Sequence, residues 1–203
     1  IKMKKKIIVT AFSNLTTDQR IEKVCKTLHD NGYVIELIGC NYGCNQEVKR
    51  EYTVEKINLI SKSLKTAYFE FNWKLYQKLL NKSFENTVLL TNDLDTLLPN
   101  FLLSKKKKIP LVFDSHEIFT EMPAIQGKIS QKIWRFAENK MLPHIEFMMT
   151  ESESYAKWFH EKYNVTPVVV RNIPKKLPLQ EKTLTQNPKI ILYQGAINPS
   201  RGI

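Results

Sequence analysis

The chain has 203 residues, of which 42% are hydrophobic and 25% charged. That balance excludes a disordered tail or a low-complexity polymer, because there is apolar surface enough to offset the entropy of folding one sizeable domain. Lysine and arginine total 31 against 20 acids, a formal net charge of +11, which favours an anionic partner: nucleic acid, an acidic membrane surface or a phosphorylated small molecule.

Ile1-Lys2 ahead of Met3 reads as residual vector sequence. Lys4–Lys6 followed by Ile7-Ile8-Val9 imitates a signal peptide, but the apolar run ends at once in Ser13-Asn14 and reads as a first strand. No run approaches the ~18 continuous apolar residues that span a bilayer. Cys25, Cys40 and Cys44 cannot staple a domain of this size, so a reducing cytosol is the simpler setting. Cys40 and Cys44 lack a second ligand pair for a metal, and Cys25, in helical register with Ile21 and Leu28, reads as core.

In chain order, residues 7–11 form a continuous β-rich run of the kind buried on both faces. Thr16 and Gln19 have capping-box spacing ahead of a helix with Ile21, Val24 and Leu28 on one face and Gly32 as its stop. A strand at 33–38 completes a βαβ unit, which gives parallel strands with a right-handed crossover. A weaker strand follows at 53–57. The helix after it has a wide apolar face through Tyr68, Phe69, Phe71, Leu75, Tyr76, Leu79 and Leu80. Next come a strand at 87–91, a helix at 94–104, and a central-looking strand at 111–114 entered through Pro110.

Residues 128–142 read as an amphipathic helix packing through Ile129, Ile133, Phe136 and Met141. A strand at 147–150, a helix with Tyr155, Trp158 and Phe159 behind the capping-box spacing of Thr150 and Glu153, and a strand at 168–170 complete the pattern. The expectation is a doubly wound parallel α/β domain, Rossmann-like, over 3–174. Residues 175–188, with Pro178 and Pro188 among polar residues, read as a linker. A strand at 190–193 then opens a second domain over 189–203 that is cut short.

Ligands of open α/β sheets bind at the carboxyl ends of the strands. Those ends carry Asn14, Asp18 and Arg20; then Asp93 and Asp95; then His116, Glu117 and Glu121. His116, flanked by Asp114 and Glu117, can change charge near neutral pH and donate a hydrogen bond into the crevice; the alternative is a loop histidine capping backbone groups. Asp93 and Asp95 equally suit the amino end of the helix starting at Leu94, and Asp18 and Arg20 a first helical turn. Lys105–Lys108 reads as a helix-end cap, or as a membrane- or acceptor-facing patch. The first strand is followed by no glycine before Gly32, and the chain has 6 glycines in all, so a dinucleotide fingerprint and a P-loop are both missing.

Together, Asp18-Gln19-Arg20, the segment 91–99, the segment 114–121, Val168–Pro174, and 192–195 with Arg201-Gly202 resemble the amino-terminal domain of a family-4 (group 1) glycosyltransferase of GT-B fold. The resemblance implies two Rossmann-like domains facing across a cleft, an acceptor on the amino-terminal one, and a nucleotide-sugar donor on the other. It implies retention of anomeric configuration, with no cofactor and no metal. His116 would sit beside the transferring sugar as the catalytic residue. Asn14, Asp18, Arg20, Asp93, Asp95, Glu117 and Glu121 would contact acceptor. Asn172, Gly195 and Arg201 would serve the donor, the last neutralising its diphosphate. Two departures stand out: Ser13-Asn14-Leu15-Thr16 replaces the usual glycine-rich loop, and Ala196 stands where an arginine is common.

The expected activity is therefore sugar transfer to a glycan or lipid-linked acceptor at the cytoplasmic membrane face, with the 203-residue chain inactive alone. The basic surface would suit anionic headgroups. Alternatives are a sugar-nucleotide epimerase of the same fold and a basic nucleic-acid-binding module. The scattered lysines and the lack of aromatic-basic interleaving argue against nucleic acid. The strand at 190–193 could pair with a second copy to form a homodimer.

Overall fold

A computed structural model describes residues 5–44, 46–174 and 176. Residues 1–172 form one compact unit, and 173–203 belong to another. The sheet and its covering helices belong to the first. The expected linker (apart from Lys176), the strand at 190–193 and any pairing through it, Gly195 and Arg201 all lie outside the described residues.

Seven parallel strands build one sheet: β1 (Lys6–Thr10), β2 (Val34–Cys40), β3 (Thr53–Ile57), β4 (Thr87–Asn92), β5 (Leu111–Ser115), β6 (Phe147–Thr150) and β7 (Val168–Val169), in the order 3-2-1-4-5-6-7. Between them run α1 (Gln19–Asp30), α2 (Leu64–Leu80), α3 (Leu94–Lys107), α4 (Ile129–Met141) and α5 (Glu153–Tyr163). The doubly wound α/β architecture stands as expected. Parallel strands need crossover helices, and these cover both faces, so β1 is buried from Ile7 onward. Ile7, Val9, Ile35 and Leu37 pack with Ile21 and Cys25 of α1. Ile8, Ile38 and Phe113 pack on the other side with Phe71, Leu75, Leu97, Met141 and Phe159 of α2–α5.

Helix starts differ in detail from the capping-box reading. Asp18, not Thr16, caps α1, its Oδ1 accepting from Ile21 N–H at 3.1 Å. Ser152, not Thr150, caps α5, accepting from Tyr155 N–H at 3.3 Å. In both cases the polar residue directly before the first helical turn reaches the free N–H groups better than one two positions earlier. Lys105–Lys107 fill the last turn of α3, where positive charge suits the helix dipole, and Lys108 ends it at φ 54°.

The larger correction concerns α4. Met141 is buried, but Ile129, Ile133 and Phe136 are exposed, and the inward side carries Gln131 and Glu138. Gln131 Nε2 donates to Thr120 O at 2.7 Å, while Glu138 Oε2 accepts from Thr120 Oγ1 at 2.8 Å and Tyr163 OH at 2.7 Å. Polar pairing, not the apolar stripe, sets the rotation of this helix. Phe69 of α2 is likewise outside, while Phe71, Leu75 and Leu79 hold the core.

Candidate functional site

The strand order reverses direction at β1, which pairs with β2 on one side and β4 on the other. The crevice expected at such a switch point opens above the ends of β1, β4 and β5. Beneath it, Asn92 Nδ2 donates to Thr10 O at 3.1 Å, and Asn100 Nδ2 to Thr10 Oγ1 at 2.8 Å and Thr96 O at 2.8 Å. Thr91 and Thr96 share a 2.6 Å hydroxyl contact. This buried network ties β1 and β4 to the first turns of α3 and gives the crevice a rigid floor.

On that floor stands a charged cluster. Asp93 joins β4 to α3 at φ 58°, a backbone state uncommon for a residue with a side chain. Its side chain makes no capping bond to its helix. Its Oδ1 instead accepts from His116 N–H at 2.8 Å, and its Oδ2 lies 3.2 Å from His116 Nδ1. Asp114, at the end of β5, takes a two-pronged grip from Arg20: Nε to Oδ2 at 3.1 Å and Nη2 to Oδ1 at 2.5 Å. Arg20 Nη1 donates to Val170 O at 2.5 Å, so one guanidinium fastens α1 to β5 and to the end of β7.

His116 closes the set. Its Nε2 lies 3.5 Å from Asp114 Oδ2, an ion-pair distance without hydrogen-bond geometry, and no protein group satisfies that nitrogen. Burial pushes the imidazole pKa down, but Asp114 and Asp93 outweigh it, and the net direction is up. Burial alone would raise Asp114; His116 and Arg20 instead hold it below the ordinary carboxylate range. Burial lifts Asp93 to about 6, with His116 opposing and Asp114 and Glu117 adding to the rise. Burial, then the charge of Asp93, carries Asp95 well above its usual value. The two carboxylates thus favour the charged form of the imidazole between them, and burial favours the neutral form of Asp95 beneath.

The other residues singled out in the sequence divide. Glu117 is exposed beside His116. Asn14 folds onto its own loop, Oδ1 accepting from Thr16 N–H at 3.1 Å and Thr16 Oγ1 at 2.6 Å. Asp18 caps α1. Glu121 is engaged by Arg135 Nη2 at 3.0 and 3.1 Å, with Lys162 Nζ at 3.8 Å. Asn172 Oδ1 accepts from Lys23 Nζ at 2.9 Å. The structure therefore brings Arg20, Asp93, Asp95, His116 and Glu117 together, and ties Asn14, Asp18 and Glu121 into supporting contacts.

Sequence reading missed an aromatic wall beside this cluster. Phe12, just past β1, packs on Tyr42 at 5.5 Å and Tyr68 at 4.4 Å; Tyr68 meets Trp134 at 5.6 Å, and Trp134 meets Phe119 at 5.0 Å between ring centroids. Burial and the nearby Asp95 and Asp93 push the Tyr68 phenol pKa up. Phe12 directly after a buried strand was the available signal, but the other rings of the wall, Tyr42, Tyr68, Phe119 and Trp134, come from four other segments.

Among the described residues, His29, Asp30 and Glu51 are the one trio spaced to hold a metal. Lys26 Nζ already lies 3.1 Å from Asp30 and 3.3 Å from Glu51, so an ammonium occupies the position a cation would take. Cys25 and Cys40 are buried thiols, and burial pushes them up to about 12 and about 11, which makes them inert rather than ligating. No described helix is long and apolar enough to cross a membrane.

Sheet order and crevice together define a Rossmann-like domain that resembles one half of a GT-B fold. Among solved structures, the chain is similar to the UDP-GlcNAc 2-epimerase from Methanocaldococcus jannaschii, with a TM-score of 0.50 and 14% identity, over 83% of this chain and 45% of that one. The likeness is one of fold, and the chain spans less than half the length of that structure. No protein-family model and no curated protein matches the sequence.

Proposed function

We propose that this domain is the acceptor-side half of a nucleotide-sugar enzyme, and specifically of a retaining glycosyltransferase that passes a sugar from a nucleoside-diphosphate donor to a glycan or lipid-linked acceptor. One observation carries the reading: His116 is held at the lip of the switch-point crevice, Nδ1 3.2 Å from Asp93 and Nε2 3.5 Å from Asp114, with part of the ring left open. The His116 side chain keeps 17% of its surface exposed, so a sugar can meet the ring at its open edge while both nitrogens face carboxylates. Asp114 and Asp93 shift the imidazole pKa up and so favour the charged ring, which presents a fixed positive charge toward a polyhydroxylated ligand. Glu117 is the neighbouring carboxylate open to an acceptor. Arg20 and Asp95 act on that ligand through Asp114 and Asp93. Asn172, Gly195 and Arg201 belong to the donor side in this reading.

The fold likeness to an epimerase favours one alternative, a sugar-nucleotide epimerase, in which the nucleotide sugar is consumed with no acceptor. The test adds nucleotide sugars, with and without oligosaccharide or lipid-phosphate acceptors, to the 203-residue chain and to the longest product of its gene. Transfer by the longer protein, lost in His116→Ala, supports the proposal. Acceptor-free conversion gives the alternative. Turnover by the 203-residue chain that survives His116→Ala overturns both.

A further inference from the structure

The amino ends of the strands, at the opposite end of the sheet from His116, enclose a second concavity. It holds about 580 Å³, within the range of roughly 300–1,000 Å³ that takes a small ligand. Lys5 ahead of β1, Lys82 in the loop before β4, and Lys107 and Lys108 at the end of α3 all line it, and no acid does. Lys82 is already bound to Glu36 and Glu55, so its charge is answered. Lys5, Lys107 and Lys108 are exposed, and among the described residues no acid pairs with any of them. Three unanswered cations from two separate stretches of chain therefore face one cavity.

Lys108 shows that these cations do more than complete a helix. The end of α3 needs positive charge in its last turn, and Lys105 and Lys106 supply it. Lys108 lies beyond that turn at φ 54°, its N–H donating to Ser104 O. Glycine is usual at such a position, because a Cβ is strained there. A lysine held in strain beside two other unpaired lysines points to a ligand that its charge meets. Lysine is a point charge that pairs with any phosphate oxygen, without the planar fork by which arginine grips a carboxylate. A single phosphate would leave part of this charge unanswered, whereas a chain of two or three phosphates matches all three cations. Phe84 and Pro110 complete the wall and leave apolar surface for a ring attached to such a chain.

We propose that this cavity binds a polyphosphate anion, the phosphate chain of a nucleoside di- or triphosphate or of inorganic tripolyphosphate, held by Lys5, Lys107 and Lys108. The site stands apart from the sugar-transfer reading, because it shares no residue with the His116 lip.

The experiment is isothermal titration calorimetry of the 203-residue protein with tripolyphosphate, ATP and orthophosphate at one ionic strength, without divalent cations. Tripolyphosphate and ATP each bind once per chain, and orthophosphate binds at least about tenfold more weakly. ATP binding tighter than tripolyphosphate identifies a nucleotide as the ligand, and the reverse order a bare phosphate chain; the site stands in both cases. Lys108→Gly weakens binding about fivefold while leaving the melting temperature of the free protein equal or higher, because the strain goes with the charge. Lys5→Gln/Lys107→Gln weakens binding at least about tenfold. Lys106→Gln/Lys132→Gln, with the same loss of charge outside the cavity, stays within about twofold of the intact protein. Equal weakening by the two double variants, full affinity in Lys108→Gly, orthophosphate bound as tightly as tripolyphosphate, or no saturable binding overturns the proposal.

Discussion

Asp93 grips His116 twice, through the backbone N–H at 2.8 Å and through Nδ1 at 3.2 Å, from a residue whose own φ is 58°. A residue with a side chain held in that region costs roughly 1–3 kcal/mol, so the contacts that fix His116 also hold a strained turn. Asparagine tolerates positive φ and keeps the acceptor for the N–H. Asp93→Asn should therefore preserve the turn while removing the charge beside Nδ1. Titrating the His116 ring by NMR should show a lower pKa in the variant than in the intact protein. An unchanged value would mean that the Asp93 carboxylate does not stabilise the imidazolium.

Stability should depend on pH through the same cluster. His116, raised in the folded state, contributes stability that is complete below the ordinary histidine value of about 6.5 and is lost as pH rises through the folded value. Asp93, raised to about 6, acts in the same direction at lower pH. Asp114, lowered, contributes above the ordinary carboxylate range and loses its contribution on acidification. Thermal melting should thus show the intact protein losing more stability than His116→Asn between about pH 6 and about pH 8. Equal losses would remove His116 from the account. Asp114→Asn should flatten the acid limb instead.

Arg20 is 5% exposed and Asp114 fully buried. Removing one partner of such a pair leaves an uncompensated charge, at a cost of roughly 3–5 kcal/mol. Arg20→Ala should lower the urea midpoint accordingly, and Arg20→Lys should recover part of the loss, since an ammonium cannot reproduce the fork. Replacing both residues with apolar ones of similar size should restore more than lysine does. A midpoint unmoved by Arg20→Ala would show that Asp114 is not held by this contact.

The strand–helix alternation was legible because buried parallel strands are short continuous apolar runs and their crossover helices carry a different period. The lip was legible for the same reason, since each strand end announces where its loop begins. His116 could be singled out from its place after a buried run and between two acids. What chain order could not display is which polar groups meet. Arg20 and Asp114 stand 94 positions apart, and neither has a local pattern that signals the other. The orientation of α4 fails for a related reason: an apolar stripe at Ile129, Ile133 and Phe136 looks like core until Glu138 and Gln131 are seen to be bonded to Thr120 and Tyr163.

Gly39 gives the last test, because it sets how closely the loop after β1 approaches the sheet. A Cβ there would lie 2.5 Å from Leu15 Cγ and 2.6 Å from Ser13 O. Ser13 O accepts from Cys40 N–H at 2.9 Å, so the loop is bonded to β2 at the point of contact. Leu15 is itself held at φ 65° by a loop in which Ser13 Oγ accepts from its N–H at 3.1 Å, and it has little freedom to move aside. Gly39→Ala should cost about 1–3 kcal/mol by overpacking. Because Leu15 leads into the loop carrying Asp18, the cap of α1, and Arg20 sits in the first turn of that helix, the strain should also reach the Arg20–Asp114 contact and shift the His116 resonances. Leu15→Ala combined with Gly39→Ala should cost less than the two single changes added together, since Cγ is then gone and only the carbonyl contact is left. Strict additivity, or a silent Gly39→Ala, would show that the loop yields without resistance.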